Sequence, residues 1–223
     1  MTRISLAHNQ HSHLHSGKDV PLWLKLGFTL LAVVVFIAYW DYYGPVNYLW
    51  FSDIALFLLV PALWLGSRLI VSTMAIAVLF AEIVWILDFI TLSHFTVLTG
   101  YMFDPEVALY IRVLSAMFHI AIPMVILYML FQFGYDKRGL PLQSLIAMVV
   151  LPLSYVFSEP EKNINLVFGL TGPQDLIHPW LYLVLLWIAM VLALYIPTHL
   201  LLNRFFSKGR VHARLQRGVN HRA

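Results

Sequence analysis

Six apolar runs, at 22–40, 46–65, 68–93, 107–133, 141–158 and 179–206, leave this chain little choice of fold. About 20 apolar residues suffice to carry a helix through the hydrocarbon of a bilayer. In that medium the backbone must satisfy its own polar groups, which only helices and closed barrels do. Apolar residues fill 61% of the 223 positions and charged ones 11%, against about 45–50% and 25% in a soluble domain. The expectation is an all-α, polytopic transmembrane bundle of six helices (21–206), flanked by a polar tail (1–20) and a basic tail (207–223). The fifth run is the shortest and contains Pro152. Turn chemistry marks the breaks: Tyr43-Gly44-Pro45, Gly66-Ser67, Asp104-Pro105, Lys137-Arg138-Gly139 and Gly172-Pro173. The first run ends at Tyr39-Trp40 without a small-residue cleavage site, so it reads as a retained helix.

Basic residues orient the bundle. If the N-terminus is inside, 12 of the 14 lysines and arginines fall on inner segments, and only Arg112 and Lys162 fall outside. The outer connections are acidic, with Asp104, Glu106, Glu159, Glu161 and Asp175. Both termini are therefore expected in the cytoplasm of a cell membrane, the bacterial inner membrane if the source is bacterial. The basic tail, with Arg210, Arg214 and Arg217, is expected to lie on anionic lipids rather than on nucleic acid. His8, His11, His13 and His15 read as a polar tail rather than a metal site. The absence of cysteine excludes disulfides and thiolate chemistry within the chain. No internal repeat is visible, which weakens a transporter built from inverted halves.

Ionisable groups inside the runs point to a site: Asp53, Glu82, Asp88 and His119, with Arg112 above His119. Charge in hydrocarbon costs several kcal/mol, so such groups face a bundle interior and often mark function. Arg112, Ser115 and His119 fall at i, i+3 and i+7 on one helical face. At about 1.5 Å per residue, all five groups converge in the outer half, near Ser52 and Asn47. The connection from Glu159 to His178, with Asn163 and Asn165, caps them. Structural readings stand beside this. Asp88 and Arg112 suit an ion pair, Asp53 suits a bond to an indole or a freed backbone amide, and Ser115 suits a bond to its own helix. Three chemistries fit the cluster. His119 can act as general base with Ser52 or Ser115 as nucleophile; Asp53, Glu82 and His119 can hold a metal; or the acids can carry protons or a cation. No compact metal motif is present, and no cofactor is expected. A non-catalytic membrane subunit is a further reading.

The stretches Tyr43-Gly-Pro-Val-Asn-Tyr-Leu-Trp-Phe-Ser-Asp53 and Glu161-Lys-Asn-Ile-Asn-Leu-Val-Phe-Gly169 resemble an uncharacterised family of bacterial integral membrane proteins. Phe118-His119-Ile-Ala-Ile-Pro123 is similar to the His-x-x-x-Pro segment of the androgen-induced and androgen-dependent membrane hydrolases. Those are six-helix enzymes that cleave fatty-acid esters of hydroxy fatty acids with a threonine and a histidine. In this chain Tyr48-Leu-Trp-Phe-Ser52 is similar in placement, with serine for threonine. The resemblance implies Ser52 as nucleophile and His119 as base, acting on a lipid ester. Asp53 or Glu82 then orients His119, and Arg112 holds an anionic head group, with Ser115 and Asp88 beside it.

Overall fold

The computed structural model describes residues 19–96 and 98–207. The histidine-rich tail and the stretch from Lys208 lie outside them. Six helical rods follow in order: α1 (Leu22–Tyr42), α2 (Phe51–Leu65), α3 (Arg68–Ile90), α4 (Leu109–Phe133), α5 (Gly139–Phe157) and α6 (Pro179–Phe206). No strand occurs among the described residues. Five of the rods are long and apolar enough to cross a membrane, and α2 is a shorter apolar helix. The second rod, not the fifth, is thus the shortest. Pro45 initiates a 3-10 turn at Pro45–Leu49, so the expected run 46–65 is helical as one rod only from Phe51.

The connections sort onto two faces. One carries loops 43–50, 91–108 and 158–178. It is tied together where Lys162 reaches the Tyr43 carbonyl and Asn165 reaches Leu49 and Phe51. The other, the terminal face, carries Gly66-Ser67 and loop 134–138, with the chain entering at Asp19 and leaving at Ser207; there the Tyr135 amide donates to the Phe206 carbonyl.

Local chemistry explains the helix ends. Gly66 closes α2 in the left-handed region at φ 60°. Ser67 then caps α3, its hydroxyl accepting from the Ile70 amide at 3.3 Å. Pro61, Pro123 and Pro152 lie inside helices that continue past them. Near Pro197 the ladder slips into a π turn over Val191–Tyr195, where the Ile196 amide donates to Val191 five residues back. Such a bulge accommodates a proline that removes a donor from the ladder.

α3 is the central element. Its residues from Val71 to Leu79 are buried without interruption, as expected of a helix enclosed on all sides. α5 crosses it closely enough that a Cβ at Gly139 would stand 2.9 Å from the Ser72 carbonyl carbon and oxygen. Small residues permit such backbone approach between membrane helices. α1 and α6 present long apolar faces outward, among them Leu30, Ile37, Val184 and Leu192. In lipid these need no further cover.

Asp136 organises the terminal face. Its carboxylate accepts from the Arg138 Nη2 and Nε at 2.9 and 3.1 Å and from Arg68 Nη2 at 3.3 Å, while its amide donates to Ser72 Oγ at 2.8 Å. The Arg138 bonds hold this carboxyl well below the usual carboxylate range. A depressed folded pKa adds stability that is fully present above the ordinary carboxylate value, about 4. It is lost as pH falls toward the folded value. Asp136→Asn is therefore expected to lower the Tm in detergent at pH 7, with the gap to wild type narrowing below about pH 4. A gap that stays constant down to pH 3 would contradict this account.

Candidate functional site

Glu82 and His119 meet between α3 and α4. The carboxylate Oε2 lies 2.6 Å from His119 Nδ1, and the two side chains are 2% and 11% exposed. Helical spacing builds the surroundings. Glu82, Trp85 and Phe89 stand at i, i+3 and i+7 on α3, and the first two meet His119 of α4. The Trp85 indole stacks on the imidazole at 4.2 Å between centroids and 13° between planes. Phe118 flanks the same ring at 4.2 Å. Phe89 and then Phe103 continue the stack toward the loop face. The ring is thus held in its plane by aromatics and in its rotation by the carboxylate. His119 Nε2 forms no hydrogen bond among the described residues. A carboxylate-oriented histidine with one free ring nitrogen can accept or deliver a proton at that nitrogen.

A pair of hydroxyls lies one turn nearer the loop face. The Tyr101 and Ser115 hydroxyls share a hydrogen bond of 2.6 Å. Burial pushes the Tyr101 phenol up to about 12, so it stays a donor at neutral pH. Ser115 is thus bonded to Tyr101 rather than to its own helix.

Asp53 is buried in the first turn of α2, shallower than a mid-span position. Its neighbour is Asn47, whose Nδ2 donates to Oδ2 at 3.5 Å. Neither an indole nor a backbone amide of a kink takes that place. Oδ1 has no partner, and Glu82 lies within electrostatic reach. The helix N-terminus favours a negative charge there. Ser52, one residue before, is half-buried, and its hydroxyl forms no hydrogen bond among the described residues.

The Asp88–Arg112 ion pair does not form. Asp88 instead accepts from the Phe95, Thr96 and Thr99 amides and the Thr99 hydroxyl at 3.1, 2.5, 2.8 and 2.8 Å. It is a clasp for the following loop, where Leu92 and Ser93 take left-handed φ. Arg112 turns to the Met102 carbonyl at 3.4 Å, with its buried Nε unpartnered. Charge attraction alone loses to four converging donors already supplied by the adjacent loop.

The long connection reaches the start of α2 through Asn165. That side chain accepts from the Phe51 amide at 3.2 Å, one of the donors left free at the start of α2, and donates to Leu49 and Ser154. Asn163 serves only its own loop, bonding Phe168 and Gly169. Tyr39, Trp85, Tyr101 and Phe118 were not singled out by sequence. The one signal for Trp85 was its place three residues after an intramembrane glutamate.

Toward the terminal face the dyad is closed by an apolar layer of Leu56, Leu59, Met74, Val78, Ile122 and Ile126, all buried. The hollow between α1 and α2 and the one at the terminal face are lined by neither Glu82 nor His119. Among the described residues no three His, Asp or Glu side chains come together as a metal-ligand group. A bundle of long apolar helices with a buried carboxylate–histidine pair is a multi-pass membrane protein. No protein-family model matches the chain, and no curated protein or solved structure is similar to it at a significant level.

Proposed function

We propose that the protein is a membrane-embedded hydrolase or transferase acting on a lipid ester, with His119 as general base. The buried Glu82–His119 pair with its free Nε2 carries this reading. His119 takes the proton of the Ser52 hydroxyl, and the oxygen attacks the ester carbonyl. The alcohol leaves with the proton returned from His119, and water or a second alcohol then releases the acyl group. Glu82 fixes the tautomer and balances the imidazolium. The apolar layer beneath the dyad supports one-sided chemistry at the loop-face leaflet over conduction through the bundle. The reading rests also on the resemblance to the fatty-acid-ester hydrolases. Purified protein is expected to react covalently with a serine-directed fluorophosphonate. Labelling should vanish in Ser52→Ala and slow at least about 100-fold in His119→Ala, the usual worth of a general base. Folded wild-type protein that takes no label overturns the hydrolase reading.

A second reading, an ion-coupled carrier, is favoured by the unpartnered Asp53 Oδ1 close to Glu82. Two neighbouring carboxyls suit a bound proton or cation. Flux in proteoliposomes that is lost in Asp53→Asn would establish it; tight, inert vesicles would remove it.

The termini are assigned to the cytoplasmic side of the cell membrane. Lys25, Arg68, Lys137, Arg138 and Arg204 lie toward the terminal face, against Arg112 and Lys162 toward the other. The chain has no cysteine, so single introduced thiols report sidedness cleanly. In intact cells Glu161→Cys should react with an impermeant maleimide and Ser207→Cys should not. The reverse pattern inverts the assignment.

A further inference from the structure

Two hollows lie end to end along α1. The first, about 270 Å³, is a groove between Ala32, Val33 and Phe36 of α1 and Phe57, Val60 and Pro61 of α2. The second, about 230 Å³, lies at the terminal face and includes Asp19, Lys25, Trp64 and Phe133. They meet at one junction. The Trp64 indole donates to Thr29 Oγ1 at 3.0 Å, and the Thr29 hydroxyl donates to the Lys25 carbonyl at 2.7 Å. The Lys25 ammonium stands 5.5 Å above the Trp64 ring. Lys25, Thr29, Ala32 and Phe36 fall at i, i+4, i+7 and i+11, one stripe of α1 about 16 Å long.

The chemistry changes along this slot. At the junction the polar groups satisfy one another, so the groove beyond offers a guest almost nothing but carbon. The hollow at the membrane edge holds two opposite charges, Asp19 and Lys25, which form no ion pair with each other among the described residues. A carbon-lined groove leading from a zwitterionic hollow matches a lipid that is itself zwitterionic. A purely anionic head group would gain Lys25 and meet Asp19. Choline would offer Asp19 no N–H.

We propose that this slot binds one amine-bearing zwitterionic phospholipid, with its phosphate at Lys25, its ammonium at Asp19 and one acyl chain between α1 and α2. The site is independent of the Glu82–His119 chemistry, lying on the opposite half of α1 from Tyr39. It would anchor the first helix, which packs on its neighbours along a narrow face only, to a defined lipid.

The full chain, reconstituted in vesicles of equal phosphatidylethanolamine and phosphatidylglycerol and released gently, is read by native mass spectrometry. One retained phosphatidylethanolamine is expected. Asp19→Asn should lower its preference over phosphatidylglycerol about fivefold, the worth of one charge contact at the membrane surface. Val33→Trp fills the groove at a position 48% exposed and should abolish retention. Ile37→Trp, 64% exposed and outside the groove, should leave it unchanged. No enrichment of the amine lipid over the bulk mixture overturns the proposal. So does preferential retention of phosphatidylglycerol, or retention indifferent to both Asp19→Asn and Val33→Trp.

Discussion

His119→Ala is expected to lower the stability of the bundle in detergent by about 3–5 kcal/mol, because it leaves a buried carboxyl without its hydrogen-bond partner and a cavity where the ring packed. The ring also leaves its stack on Trp85, 4.2 Å away, which adds about 0.5–1.5 kcal/mol. The Glu82 carboxylate, 2% exposed, then has no partner and no access to water. The double variant Glu82→Leu/His119→Phe should behave differently. Both polar groups leave together, similar volume returns, and stability should recover to within about 1–2 kcal/mol of wild type. Chemistry should not recover with it: fluorophosphonate labelling stays at least about 100-fold slower than in wild type. Urea or thermal unfolding of the three proteins decides it. A His119→Ala protein as stable as wild type would mean that the Glu82–His119 contact does not hold the bundle together.

Asp88→Ala should be the second most damaging change, at about 2–4 kcal/mol, because four donors lose one acceptor. The figure is held below the full sum because Phe95 is exposed and its amide can turn to water. Loop 91–108 should open first, and limited proteolysis should cut it while the helices stay intact. Tyr101 rides on that loop, so its bond to Ser115 is lost as well. Asp88→Asn keeps one acceptor oxygen but sets an amide N–H₂ against a donor, and should fall between the two. Equal protease resistance in Asp88→Ala and wild type would show that the loop is held by other contacts.

Much of this arrangement was legible in the chain. Apolar run length and turn chemistry placed all six rods to within a few residues, apart from α2. There Pro45 and the Asn165 side chain, 114 residues away, set the start of the helix. No local pattern carries a contact of that range. The intramembrane acids and His119 were recognisable as buried, because a charged group in hydrocarbon has nowhere else to go. Their partners were not recognisable. Asp88 and Arg112 are similar in depth and opposite in charge, yet Asp88 closes on the backbone of its own following loop.

The sequence by itself determined an all-helical membrane bundle, its breaks, and the residues that had to be hidden from lipid. These follow from hydrophobicity and helical period, which are local properties. Only the tertiary structure decided that Glu82 meets His119, that Trp85 stacks on the imidazole, and that Asp53 keeps one oxygen unpartnered. Those outcomes depend on how α2, α3 and α4 are rotated and shifted against one another. That register is set by packing of Ala, Leu, Met and Gly across the whole interface rather than by the polar residues themselves.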